Sequence, residues 1–213
     1  FRKLADKRLI ADFPYPFWNF YEWGNESDNC GDLSGTSGVK RPERFSLILN
    51  AYYVYAEERF ASLFPDRAVD TAEMKERIKK EFYSEEKGLF RAYRNEENYT
   101  EFGNAMALLI GLGNEELAER LAKGKAAKAT LAAAAYVYDA LLSFGKKFEG
   151  YVIADIDKNY KKMLDEGATT FWETIEGVTE NDLSCSLCHG WSALPIYYYA
   201  VTGRIRYIKD KAK

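Results

Sequence analysis

Apolar residues recur with a helical period along most of this chain, and this periodicity restricts the fold more than any other feature. One stripe steps by three or four residues, as expected for one helix face; its members are Phe45, Leu49, Tyr53, Ala56, Phe60 and Leu63. Comparable stripes begin near Met74, Phe102, Leu131 and Ile153. Strand patterns are weak, although residues 88–94 could form a short strand. The pattern therefore predicts an all-α fold of antiparallel helical hairpins.

Length and composition exclude several classes of protein. The 213 residues are 47% hydrophobic, which is enough for one sizeable core. The net charge is only -3, so a nucleic-acid partner is not expected. No apolar run approaches the roughly 20 residues that a membrane-spanning helix needs, so we expect no membrane contact.

The cysteine count and the first residue bear on the cellular compartment. Three cysteines do not make a disulfide framework, which favours a reducing, cytoplasmic setting. The chain begins at Phe1 rather than Met, and we expect it to be a fragment or a processed product. A signal peptide upstream of Phe1 would then be invisible.

The string SCSLCHGW contains Cys185, Cys188 and His189 in a C-x-x-C-H pattern. This pattern occurs at haem attachment sites, and its parts occur in zinc sites and thiol redox sites. Haem needs a second axial ligand or an open site, and His189 is the single histidine. Zinc would need Cys30 or a distant carboxylate, and a thioredoxin-like pair needs a βαβ context. We therefore expect neither a metal nor another cofactor.

The string GATTFWETIEG places Glu173 directly after Phe171 and Trp172. A carboxylate flanked by aromatic side chains is partly desolvated, which suits a general base or acid. Alternatively, Glu173 is an ordinary exposed residue or caps the next helix. Glu176 is a weaker candidate because no aromatic pair precedes it.

A second aromatic segment, FPYPFWNFYEWGNESD, spans Phe13 to Asp28. Its two prolines make it non-helical, and Trp18 and Trp23 are candidates for stacking on the flat face of a ligand. The alternative is a hydrophobic plug that packs on the helices.

Taken together, GATTFWE and SLCHGWSALP resemble the C-terminal catalytic region of bacterial α-L-rhamnosidases. These are inverting glycoside hydrolases of the six-hairpin, or (α/α)6 barrel, class. The resemblance extends to FPYPFWNFYEWG, TEFGNAMALLIGL and YVYDALLSFG, and so covers nearly the whole chain in the family's order. Glu22 stands in the first of these three strings where the family usually has Asp.

The resemblance implies a single domain over residues 1–213, the C-terminal portion of a six-hairpin barrel and thus part of an (α/α)6 toroid. Glu173 would be the general base that activates the attacking water. His189 would bind the hydroxyls of a rhamnoside substrate, Trp23 would stack on the sugar, and Trp191 and Trp18 would help to form the pocket. Trp172 would support Glu173, and Cys185 and Cys188 would only pack.

One departure from the family pattern limits this interpretation. The family's general acid lies in a D-x-x-x-R-D-E-like string, which this sequence lacks. Inversion needs two carboxyl groups, so we expect the isolated chain to be inactive unless Glu22 or Asp28 substitutes. A six-hairpin enzyme for another sugar and a non-catalytic carbohydrate-binding domain stay open as alternatives. A partial barrel would expose apolar surface, which predicts a homodimer or pairing with a missing N-terminal portion.

Overall fold

The computed structural model describes residues 1–5, 9–13, 21, 44–177 and 186–205. Within these ranges the chain is mostly α-helical, and its sheet structure is limited to one two-stranded hairpin. The predicted all-α class is confirmed. The chain divides into two compact units, Phe1–Ala140 and Leu141–Lys213. In the part of the chain described, no helix combines the length and the apolar character needed to cross a bilayer.

The first unit contains most of the helices. Its elements are α1 (Arg2–Ala5), α2 (Leu47–Leu63), α3 (Ala72–Phe82), β1 (Tyr83–Ser84), β2 (Leu89–Phe90), α4 (Glu101–Leu109), α5 (Glu115–Ala122) and α6 (Ala134–Ser143), which contains the division between the units. The strands pair antiparallel, with Tyr83 opposite Phe90 and Ser84 opposite Leu89. Strand β2 lies within residues 88–94, where the sequence predicted a short strand, whereas β1 lies before that region.

Two helices of the first unit, α2 and α4, begin in the same way. The Ser46 hydroxyl accepts a hydrogen bond from the backbone N–H of Leu49 at 3.2 Å. The Thr100 hydroxyl accepts one from the backbone N–H of Gly103 at 3.1 Å. Both caps satisfy a donor that the first helical turn would otherwise leave unpaired.

Four residues after each cap, a fully buried asparagine holds another segment of backbone. Asn50 accepts from the N–H of Ile10 at 2.7 Å and donates to its carbonyl at 2.9 Å. Asn104 does the same with Phe90, at 2.8 and 2.9 Å. Each amide also donates to the carbonyl of its own cap residue. We call these two arrangements the asparagine clamps. Each clamp gives hydrogen-bond partners both to a buried side-chain amide and to a buried segment of backbone, which would otherwise destabilise the fold.

The predicted apolar stripes are buried where they pack on other elements. Met74, Ile78 and Phe82 are all buried on α3, as the spacing predicted. The stripe of α2 is buried only over its first half, where the helix is covered on several sides. At its end Leu63 is 74% exposed, so the prediction of a continuous buried face is wrong there.

The second unit contains α7 (Glu149–Asp165) and α8 (Pro195–Val201), with short 3-10 turns at Lys146–Phe148 and Gly190–Ser192. Four predicted stripe residues are buried on α7: Ile153, Ile156, Tyr160 and Met163. The helix ends at Asp165, and Gly167 just beyond its cap has a φ of +85°, a left-handed conformation that glycine adopts without strain. The irregular backbone between α7 and α8 carries the predicted site.

Candidate active site

Two irregular segments of the second unit, residues 170–173 and 186–189, pair through their backbones. The N–H of Glu173 donates to the carbonyl of Ser186 at 2.8 Å, and the N–H of His189 donates to the carbonyl of Phe171 at 2.7 Å. The Thr170 hydroxyl adds a hydrogen bond to the carbonyl of Leu187. This pairing brings together two predicted site residues, Glu173 and His189, that are sixteen positions apart in the sequence.

The carboxylate of Glu173 is held in place from one side. Its Oε2 accepts a hydrogen bond from the backbone N–H of Ser186 at 2.8 Å. The same oxygen lies 4.0 Å from Nδ1 of His189. The side chains of Glu173 and His189 are 18% and 23% exposed, so water can reach both. Among the described residues, no group bonds to Oε1, which leaves that oxygen available to accept from a water molecule.

The backbone on either side of Glu173 is fixed by packing. Trp172 is buried, and the turn from Thr174 to Gly177 folds back over its ring. Gly177 has a φ of +64°, and a Cβ atom there would lie 2.9 Å from the ring atoms Cε3 and Cζ3 of Trp172. Any larger residue at position 177 would therefore have a strained backbone and would clash with the ring of Trp172.

Lys162 of α7 binds the same turn, residues 174–177. Nζ of Lys162 donates to the carbonyl of Ile175 at 3.1 Å and pairs with Glu176 at 3.2 Å and with Glu166 at 2.8 Å. These carboxylates raise the pKa of Lys162, and the hydrogen bond that Lys162 donates to Glu166 is the largest cause. Glu176 is thus exposed and neutralised by a lysine, whereas the carboxylate of Glu173 lies beside an imidazole.

The segment that receives Glu173 has its own internal support. The Ser186 hydroxyl donates to the carbonyl of Cys188 at 3.0 Å and accepts from its N–H at 3.1 Å. Cys188 is exposed, so the expectation that it packs in the interior is wrong. Cys185 and Cys30 lie outside the described residues. In the part of the chain that the structure describes, no cluster of three His, Cys, Asp or Glu side chains could hold a metal ion.

Of the three tryptophans predicted to bind the sugar, only Trp191 lies among the described residues. Trp191 is 73% exposed, and its ring centroid lies 5.8 Å from that of His189 at an interplanar angle of 76°. It therefore presents an aromatic face to solvent next to His189. Trp18 and Trp23 lie outside the described residues, as do the alternative acids Glu22 and Asp28. Their predicted roles stay predictions.

Sequence reasoning missed three residues that contact Glu173 or a residue within two positions of it: Ser186, Lys162 and Tyr160, whose ring lies against that of Phe171. Ser186 acts through its backbone N–H, which leaves no signature in side-chain identity. Lys162 looks like an ordinary exposed helix residue. Tyr160 belongs to the apolar stripe of α7, and its place in that stripe indicated only a core residue.

Comparisons with known proteins bear on the family and the fold of the chain. Residues 18–201 match the model of a family described as the bacterial α-L-rhamnosidase six-hairpin glycosidase domain. No curated protein matches the chain. A solved structure described as a rhamnosidase from Klebsiella oxytoca with rhamnose bound is similar, with a TM-score of 0.61 and 20% identity. The match covers 74% of this chain but 34% of that one, so the chain spans about a third of that protein's length. At this identity the likeness shows the fold, and it confirms the predicted six-hairpin type.

Proposed function

The chain belongs to the bacterial α-L-rhamnosidase six-hairpin glycosidase family, and from this premise we propose that it supplies the general base of an inverting glycoside hydrolase. Glu173 is the proposed base. The substrate class is an α-L-rhamnoside, in keeping with the rhamnose in the similar Klebsiella structure. Residues 1–213 are proposed to form one domain, the C-terminal portion of the helical barrel.

One observation supports this proposal above the others: the arrangement of the Glu173 carboxylate. One of its oxygens is fixed by the Ser186 N–H at 2.8 Å, and the side chain is partly exposed. A general base needs a fixed carboxylate with one oxygen that water can reach. Oε1 of Glu173 meets this requirement within the described part of the chain.

The proposed reaction is a single displacement. Glu173 takes a proton from a water molecule as the water oxygen bonds to the anomeric carbon, and the carboxylate becomes a carboxylic acid. A general acid on the opposite face gives its proton to the departing glycosidic oxygen, so the anomeric configuration inverts. The two carboxyl groups of such enzymes lie about 6.5–9.5 Å apart to leave room for the water.

The general acid is proposed to come from outside this chain, because the sequence lacks the family's acid string. Without it the isolated chain is expected to be inactive. The pairing surface for a segment that carries the acid, or for a second copy, would include the exposed apolar residues of α8, Ile196, Tyr197 and Val201. Sedimentation of the 213-residue chain as a clean monomer at high concentration would contradict the homodimer.

The other predicted site residues are proposed to bind the sugar. The His189 imidazole lies beside Glu173 and can donate to, or accept from, a hydroxyl group of the substrate. Trp191 offers an exposed ring for the apolar face of the sugar. Trp23 and Trp18 are proposed to complete the pocket.

The decisive experiment replaces Glu173 with Gln in a longer chain that joins these residues to the general-acid segment. Gln keeps an oxygen that can accept from the Ser186 N–H, but it cannot take a proton from water. Hydrolysis of an aryl α-L-rhamnoside should therefore fall by a factor on the order of 10²–10⁴, while the circular-dichroism spectrum and thermal midpoint stay unchanged.

Glu176→Gln is the matched control, because Glu176 lies three residues away and pairs with Lys162 instead. This variant should keep normal activity. Near-normal hydrolysis by Glu173→Gln would exclude Glu173 as the base. Activity on a different aryl glycoside would favour a six-hairpin enzyme for another sugar, and sugar binding with no hydrolysis would favour the non-catalytic alternative.

A further inference from the structure

Tyr160 contacts one of the two segments that form the candidate active site and the 3-10 turn that directly follows the other. It lies on α7 and is 7% exposed. Its hydroxyl donates a hydrogen bond to the carbonyl of Ser192, in the 3-10 turn that follows His189. Its ring meets the ring of Phe171 edge to face, with centroids 5.8 Å apart at 78°.

Each contact is one step from the backbone of His189. The carbonyl of Phe171 accepts from the N–H of His189 at 2.7 Å. The N–H of Ser192 donates to the carbonyl of His189 at 3.1 Å. The ring of Tyr160 therefore supports the segment that carries Glu173, and its hydroxyl fixes the end of the turn that carries His189.

The chemistry of Tyr160 suits a permanent contact. Burial raises the pKa of its hydroxyl well above the ordinary value, so the group is a protonated donor at neutral pH. The Ser192 carbonyl is likewise covered, since Ser192 is fully buried. The same carbonyl also accepts from the backbone N–H of Leu194 at 2.8 Å, so the Tyr160 hydroxyl is the second of two donors. Loss of the hydroxyl leaves the carbonyl paired within its own turn and removes the hydrogen bond that ties this turn to α7.

We propose that Tyr160 is a positioning residue that sets the relative placement of His189 and Glu173. The inference rests on the proposed function, because it gives that placement a role in binding the sugar and in delivering the water. A residue that only fills the core would need its ring but not its hydroxyl. The two roles therefore predict different results for a variant that keeps the ring.

The experiment compares Tyr160→Phe with Tyr199→Phe in the 213-residue chain. Tyr199 lies on α8 of the same unit, and its hydroxyl donates to Asp157 of α7. None of the described contacts of the Tyr199 side chain reaches residues 170–173 or 186–192. Both variants lose one tyrosine hydroxyl, but only one of them removes a bond to the site.

The readout uses the fact that His189 is the single histidine of the chain. Its imidazole signals in a proton–carbon NMR spectrum are therefore unambiguous. Tyr160→Phe should shift these signals, increase hydrogen exchange at the His189 amide, and weaken rhamnose binding by about tenfold. Tyr199→Phe should leave the signals, the exchange rate and the affinity as in the unaltered chain.

The outcomes separate the two proposals. Unchanged imidazole signals and unchanged rhamnose affinity in Tyr160→Phe would overturn the positioning role, whatever the fate of the proposed function. If the unaltered chain shows no rhamnose binding, the proposed substrate fails, yet the NMR and exchange measurements still decide the role of Tyr160. If Tyr160→Phe unfolds, the hydroxyl is needed for the fold of the unit rather than for the placement of His189, and that result also overturns the positioning role.

Discussion

The asparagine clamps of the first unit and the Glu173 contact of the second share one type of interaction but differ in what it contributes. In both, a polar side chain binds the backbone of a segment distant in sequence. Asn104 is fully buried, and its amide satisfies both the N–H and the carbonyl of Phe90. Glu173 is partly exposed and binds one N–H with one oxygen.

This difference separates stability from chemistry. A fully satisfied buried amide has no capacity left for a ligand, so its contribution goes into the fold. A carboxylate held by one oxygen is oriented but keeps its second oxygen for water. The contrast also explains where substitutions should act: on unfolding for the clamps, and on turnover for Glu173.

The largest effect on stability is expected for Asn104→Ala. The change removes three hydrogen bonds and leaves the N–H and carbonyl of Phe90 buried without their partner. We expect the free energy of unfolding, measured by urea denaturation, to fall by about 3–4 kcal/mol.

Asn159→Ala is the matched control for that clamp. Asn159 is only partly buried, and its amide lies 3.5 Å from Asp155, at the limit of a hydrogen bond. Its loss should change the unfolding free energy by less than about 0.5 kcal/mol. Equal losses of unfolding free energy in Asn104→Ala and Asn159→Ala would mean that the clamp contributes no more to stability than an ordinary partly buried asparagine.

A smaller effect is expected at the turn beside the active site, for Gly177→Ala. The new Cβ would lie 2.9 Å from the Trp172 ring at a residue with a φ of +64°. We expect thermal denaturation to show a loss of about 1–2 kcal/mol, together with weaker rhamnose binding because the turn follows Glu173 directly.

Gly150→Ala is the matched control, which tests whether the loss of stability in Gly177→Ala comes from the contact with Trp172. Gly150 lies in the first turn of α7, and a Cβ there would meet nothing within 4 Å. Alanine is the better helix former, so this variant should gain up to about 1 kcal/mol and bind rhamnose normally. A comparable loss in both variants would contradict the role assigned to the Trp172–Gly177 contact.

Much of the fold could be predicted because its helices follow a local period. Met74, Ile78 and Phe82 read as one face in the sequence and are one buried face in the structure. The clamps were not predicted, although Ser46 and Asn50 have the same spacing as Thr100 and Asn104. Two matches of a cap and an asparagine are too short to stand out as a repeat until the structure shows what they bind.

The candidate site was predicted in part, and for a different reason. Local patterns singled out Glu173, after an aromatic pair, and His189, in a C-x-x-C-H string, but each pattern left several interpretations open. The family likeness in two short strings then assigned each residue a role. Their proximity depends on the backbone pairing of residues 170–173 with 186–189. Pairing between irregular segments uses N–H and carbonyl groups that every residue has, so the sequence does not show the register.

The sequence by itself determined the helical class, the buried stripes of α3 and α7 and the candidate pair Glu173 and His189, because period and motif are properties of neighbouring residues. Tertiary structure alone decided that the Ser186 N–H binds Glu173, that Cys188 is exposed, and that Tyr160 contacts both Phe171 and the Ser192 carbonyl. These contacts join residues that are distant in the sequence and form only when the chain folds, so no local sequence pattern predicts them.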